Sequence, residues 1–312
     1  MTTAFLQAVS SIGLFVLLAI PGFLFLRKHW LSSAQLDGLS TVLVQYLWPI
    51  MVIDAMAQMQ RSRELLQSAG YVTAVTLAGI LLAAGLGFGL LRVEKQPFAP
   101  GGIMVFALMF SNTGLIGMPL ISYLLGSEAL FLAAIVELVN DMLFFSVGLL
   151  LMQRSCRSAE PLSLRSLFSP GFVGMLLGLF LFLSGLPLPA LLRQALHMIA
   201  SATTPVTMFL VGGQLAEQSL SSLLKQRQLY RFAAWKLLLL PGLLFVLLRV
   251  ILRENSLSSS VLILLFAMPS GACCALFARQ YHGDQALATG CVMLTTLFSL
   301  LTLPLWMVLC SL

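Results

Sequence analysis

The sequence predicts an all-α integral membrane protein: ten transmembrane helices arranged as two inverted five-helix repeats, with helices 4 and 9 broken and crossing. Three observations predict it. The chain is 59% hydrophobic and 9% charged, with a mean hydropathy of +1.00, whereas about a quarter of a soluble domain's residues are charged. Apolar stretches long enough for a bilayer core, about 20 residues each, recur ten times. The two halves can be laid over each other in register. The alternating ten-residue pattern of a membrane β-barrel is absent.

Taken in order, the spans are 5–26, 36–58, 70–91, 102–125, 129–152, 167–186, 192–216, 232–252, 258–280 and 285–310. Span 1 follows "MTTAFLQ", with no basic leader and no small-residue cleavage site, so it reads as a span rather than a cleaved signal. It ends at "RKHW", Arg27 to Trp30, a basic and aromatic flank suited to the membrane interface. Span 2 carries Pro49, Asp54 and Gln58. Span 3 holds "LAAGLGFGLL"; Gly85, Gly87 and Gly89 do not open a phosphate-binding helix and read as close helix packing.

Span 4 contains "SNTGLIGMPL", Ser111 to Leu120, polar and helix-breaking residues near the middle of an apolar run. Non-helical backbone at that depth survives only inside protein or beside a polar cavity. Pro119 lacks an amide hydrogen and suits the first position of a new helix. Gly114 and Gly117 permit close approach, and Asn112 and Thr113 can bond freed backbone groups or a ligand. Span 5 carries Glu137, Asn140 and Asp141 on one helical face, expected to look inward.

The link 153–166 is the longest polar stretch, and it divides the chain into a first repeat (1–152) and a second (167–312). "LWPIMVIDAMAQ" of span 2 aligns with "TTPVTMFLVGGQ" of span 7, bringing Pro49 onto Pro205 and Gln58 onto Gln214. "SNTGLIGMPLISYLLGSEAL" of span 4 aligns with "MPSGACCALFARQYHGDQAL" of span 9, bringing Gly114 onto Gly271 and Gly126 onto Gly283. Span 9 therefore has its own interruption at Pro269, Ser270 and Gly271. Five spans per half make the second repeat inverted, and inverted repeats with matching broken helices point to a secondary transporter.

Net charge is +6, but its distribution argues for topology and against nucleic acid. Eleven Lys and Arg fall in the loops after the odd spans and five in the remaining loops. The positive-inside rule then puts the odd loops, including 153–166, in the cytoplasm and both termini outside. In span 8, Lys236 reads as a residue that snorkels to headgroups or pairs with Asp141 or Glu137. No Lys or Arg neighbours either broken motif in sequence, so half-helix termini alone are expected to supply the positive field for an anion. Asp54 reads as a scaffold-side proton or cation site and Gln214 as a cavity-lining amide. The Met- and Phe-rich spans read as lipid-facing packing. The cysteines show no metal spacing. No Ser/His, Cys/His or metal constellation points to an enzyme.

"FSNTGLIGMPLISYLLGSEAL", followed by an Asn-bearing fifth span, resembles the auxin efflux carrier (PIN-like) family. "WKLLLLPGLL" in span 8 resembles its bacterial members, and the chain looks like a compact prokaryote-type one. The resemblance implies a scaffold from spans 1, 2, 6 and 7, and a transport domain from spans 3–5 and 8–10. It also implies elevator-like alternating access carrying an organic anion. The family's crossover asparagine maps onto Asn112, and its crossover prolines onto Pro119 and Pro269.

The expected function is a secondary transporter of small organic anions, with carboxylates the expected class, in the plasma (bacterial inner) membrane. Asn112, Thr113, Gly114, Pro119, Pro269, Ser270 and Gly271 form the expected substrate site. Asp54, Glu137, Asn140, Asp141, Gln214 and Lys236 form the expected coupling or polar network. No cofactor or metal is expected, and proton or sodium coupling stays open. The expected partners are the anion and the lipid bilayer, with room for a homodimer. The alternative is a ligand-binding membrane sensor built on the same fold.

Overall fold

The computed structural model describes residues 2–59, 62–156, 170–216 and 226–310. The link expected at 153–166 lies outside them beyond Cys156, up to which the preceding helix continues. Among the described residues the chain is helical, with one isolated β-bridge. The helices are α1 (Thr2–Arg27), α2 (Ser33–Ala57), α3 (Arg63–Glu94), α4 (Phe98–Met109), α5 (Thr113–Cys156), α6 (Pro170–Ser184), α7 (Ala190–Ala216), α8 (Arg227–Ile251), α9 (Leu257–Phe266), α10 (Cys273–Gln280) and α11 (Gln285–Cys310). Six of the described helices are long and apolar enough to cross a membrane, and four shorter ones are apolar. This is an integral membrane protein. Within α5, Gly126 has a φ of 84° and breaks the helix, a conformation that only glycine adopts without strain.

Two compact units divide these elements. The first comprises residues 1–71, 114–138 and 165–218. Small residues let its backbones approach closely. A Cβ on Gly22 of α1 would collide with the carbonyl of Phe209 in α7, and one on Gly212 of α7 with the carbonyl of Ala19. Along α6, Gly171, Gly174 and Gly178 repeat at helical spacing and receive Trp48, Pro49 and Met56 of α2. Leu26, Leu36, Leu43, Leu47 and Leu210 form the buried cluster beside that contact. Phe131 and Phe182 pack with ring centroids 4.6 Å apart.

The second unit comprises residues 72–113, 139–164 and 219–312. Of the three span-3 glycines, Gly87 carries the close contact: its Cβ would lie 2.9 Å from the Cα of Val105. Gly89 meets the Trp235 ring at ordinary distance, and nothing approaches Gly85. Phe106, Phe110, Phe144 and Phe277 form an aromatic cluster with centroids 5.0–5.4 Å apart. Phe106, Phe110, Met104 and, in the first unit, Phe131 and Met118 are buried in protein. The expectation that the Met and Phe residues face lipid is thus corrected for these positions: rings fill an interior left open by glycines such as Gly148, which abuts Phe110.

Prolines re-space the helical bonding. Because proline offers no amide hydrogen, the carbonyl four residues earlier loses its partner. Wider π-type turns precede three of them: Leu43–Leu47 before Pro49, Thr113–Gly117 before Pro119 and Trp235–Leu239 before Pro241.

Candidate functional site

The interruption in the fourth apolar stretch lies at Phe110 to Asn112, between α4 and α5. Pro119 is therefore not the start of a new helix, as its sequence position suggested. Helical bonding has already resumed at Thr113, and the π-turn absorbs the missing amide. The second interruption runs from Ala267 to Ala272, between α9 and α10, and contains Pro269, Ser270 and Gly271.

The two breaks meet within the second unit and satisfy each other. Asn112 N–H donates to the Pro269 carbonyl at 2.7 Å, and Gly271 N–H donates to the Phe110 carbonyl at 2.9 Å. Together these bonds make an antiparallel bridge between Ser111 and Ser270. Without water, orphaned peptide groups would each cost several kcal/mol; here each break supplies the partners that the other lacks. A Cβ on Gly271 would sit 3.5 Å from the Phe110 and Ser111 carbonyls, so close approach rather than unusual φ is its service.

Polar side chains gather on this bridge. Ser270 N–H donates to Thr295 Oγ1 of α11 at 3.1 Å, and that hydroxyl donates in turn to the Cys291 carbonyl at 2.7 Å. Asn140 Nδ2 donates to Thr113 Oγ1 at 3.5 Å. Ser111, Asn112, Thr113, Asn140, Pro269 and Ser270 are all buried. The Ser270 hydroxyl is fully buried and has no hydrogen-bond partner.

Lys236 overturns two expectations. It does not snorkel, for it is completely buried. Nor are the breaks free of basic residues, because its Nζ donates to the Leu108 carbonyl at 2.8 Å and to Ser111 Oγ at 2.6 Å. The Leu108 carbonyl is available because Asn112, its natural helical donor, is bonded to Pro269 instead. More than a hundred residues separate Lys236 from the break, so no local sequence signal announced the contact. Ser111 and Thr295 belong to the same cluster and were not singled out from the sequence.

The remaining residues fall elsewhere. In the first unit, Gly114 is enclosed by Trp48 and Glu137; its Cβ would lie 2.8 Å from Glu137 Oε1 and 3.0 Å from the Trp48 ring. Glu137 is buried. Asp141 is half-buried and Gln214 is exposed. Asp54 is buried and pairs with His197, Nδ1 to Oδ2 at 3.1 Å, while the His197 side chain is largely exposed. Nothing in the sequence around His197 marks it as the partner of Asp54. No group of three or more metal-ligating side chains occurs among the described residues.

Comparison with known proteins agrees with the transporter reading of this architecture. The family described as membrane transport protein matches residues 8–163 and 155–307. An uncharacterized transporter of Methanothermobacter thermautotrophicus is 30% identical over 207 residues, covering 66% of this chain and 67% of the relative. An uncharacterized transporter of Methanocaldococcus jannaschii is 26% identical over 233 residues, covering 72% and 73%. The chain belongs to the membrane transport protein family, the auxin efflux carrier family that its span-4 motif resembles.

Proposed function

We propose that this member of the family is a secondary transporter of small organic anions, with carboxylates the substrate class and the paired breaks the binding site. The observation that carries the reading is the Ser111–Ser270 bridge. It holds two interrupted apolar stretches together and gathers Asn112, Thr113, Ser270 and a buried lysine at one point. Discontinuous helices at a midplane site are how transporters present backbone dipoles and polar side chains to a charged substrate.

In this reading the chain forms ten spans in two inverted repeats, 1–152 and 167–312, with both termini outside the plasma membrane. Spans 1, 2, 6 and 7 serve as scaffold, and spans 3–5 and 8–10 move in an elevator-like cycle. The grouping of α1, α2, α6 and α7 in one compact unit, and of most of α3, α8 and α11 in the other, supports that division for those helices, whereas residues 114–138 of spans 4 and 5 fall in the first unit. Glu137 and Asp141 are the proposed proton carriers. The family assignment favours transport over a sensor that binds without moving its ligand.

Reconstitution tests the proposal. Purified protein in proteoliposomes should accelerate the flux of at least one mono- or dicarboxylate, saturably and with competition among analogues. Saturable carboxylate binding without any accelerated flux would favour the sensor.

A further inference from the structure

The buried lysine has a role beyond its place at the proposed substrate site. Three features make the surroundings of Nζ suited to a cation. The Leu108 carbonyl belongs to the last turn of α4 and is released from its helix by the break. A helix C-terminus carries a partial negative charge. The second partner, Ser111 Oγ, is also an oxygen. The third feature is the bridge geometry. Residues directly opposite in an antiparallel pair project to the same face with Cβ atoms roughly 5 Å apart. The unpartnered Ser270 hydroxyl therefore stands beside the Ser111 hydroxyl. Nζ itself touches the released carbonyl and the Ser111 hydroxyl, and oxygens of this kind at a broken helix are what coordinates a coupling sodium in broken-helix transporters; the Ser270 hydroxyl lies across the bridge and bonds neither of them.

We propose that the Lys236 ammonium occupies the place of that sodium. The carrier holds its cation covalently, at the end of a side chain, and needs no sodium to assemble the paired breaks. This inference deepens the transporter reading and rests on it for its meaning, but its test does not need the substrate. The cation keeps the Leu108 carbonyl and the Ser111 hydroxyl satisfied and contributes the positive field at the bridge. A compact ammonium suits the place because it is a point charge with three donors on a flexible stem.

The experiment is thermal unfolding of purified protein in detergent, with sodium, methylammonium or choline chloride at equal ionic strength. The parent should unfold at the same temperature in all three. Lys236→Ala leaves the oxygens and removes the cation, so it should unfold earlier in choline. Methylammonium or sodium should restore it, saturably, by about 3–6 °C. Lys236→Met fills the space with an apolar chain and should respond to neither cation. Lys236→Ser offers the same vacancy should the alanine variant not yield folded protein. Saturable stabilisation of the parent by sodium would overturn the proposal. So would alanine and serine variants indifferent to both cations, or a methionine variant responding like the alanine one. Failure of every carboxylate to be transported would sink the substrate reading while leaving these cation responses readable.

Discussion

Thr295→Val is the sharpest perturbation of the paired breaks that leaves them untouched in sequence. Valine matches threonine in shape and removes only the hydroxyl, which accepts from Ser270 N–H at 3.1 Å. Ser270 is fully buried, so its amide would be left without a partner. A buried donor stranded in this way costs about 1–3 kcal/mol. Loss of the hydroxyl's own bonds to the Cys291 and Val292 carbonyls matters less, because those are carbonyls within the helix α11 itself. Thr296→Val is the internal control. Its hydroxyl only back-bonds to the Val292 carbonyl at 2.8 Å, so its removal should change stability by less than about 0.5 kcal/mol. Thermal unfolding in detergent should therefore separate two adjacent, chemically identical substitutions by roughly 2–10 °C. Carboxylate affinity should also fall in the first variant, because the 269–271 turn loses its anchor. Equal stability and equal binding in the two variants would refute the reasoning that Thr295 holds the second break.

Three further outcomes follow from particular contacts. Gly212→Ala should destabilise the first unit by about 1–3 kcal/mol, because the new Cβ meets the Ala19 carbonyl, whereas Gly85→Ala meets nothing and should be neutral or better by thermal unfolding. The charge asymmetry predicts that, in a cysteine-free background, Thr2→Cys is labelled by an impermeant thiol reagent in sealed cells and Ser158→Cys is not; labelling of the latter from outside would reverse the topology. Asp141→Asn should flatten the response of carboxylate flux to an imposed pH gradient in proteoliposomes, while Asp54→Asn, which removes only a pair with a largely exposed histidine, should leave it intact. A parent whose flux ignores the pH gradient would remove the acids from coupling.

The membrane class and the positions of both breaks were legible because they are local. Runs of apolar residues mark helices, and Ser, Asn, Gly and Pro inside such runs mark where helical bonding fails. Gly126, matched in sequence only to Gly283, proves to be a corner with positive φ. What was not legible is how the breaks are mended. The Asn112 to Pro269 bond joins residues far apart in sequence, and no composition or periodicity encodes such a pairing. Lys236 shows the limit most clearly. On its own helix it looks like an interfacial lysine near the cytoplasmic end of a span, and only the fold brings Leu108 and Ser111 to it. Asp54, read from the sequence as a proton or cation site, meets His197 for the same reason. Pro119 misled in the opposite direction. A proline within a polar motif suggests a helix start, but the chain accommodated it by widening one turn, so the break fell earlier.

Equilibrium binding of a panel of mono- and dicarboxylates to the purified parent and to Asn112→Ala tests the central claim most directly. Asn255→Ala, whose side chain accepts from Arg249 outside the paired breaks, serves as the control. The account predicts saturable binding of at least one carboxylate, unchanged in Asn255→Ala. In Asn112→Ala it should weaken by the roughly 1.5–3 kcal/mol of a hydrogen bond to a charged group, about ten- to a hundredfold. Binding of equal strength in Asn112→Ala and the parent would contradict it, and would place the substrate away from the paired breaks.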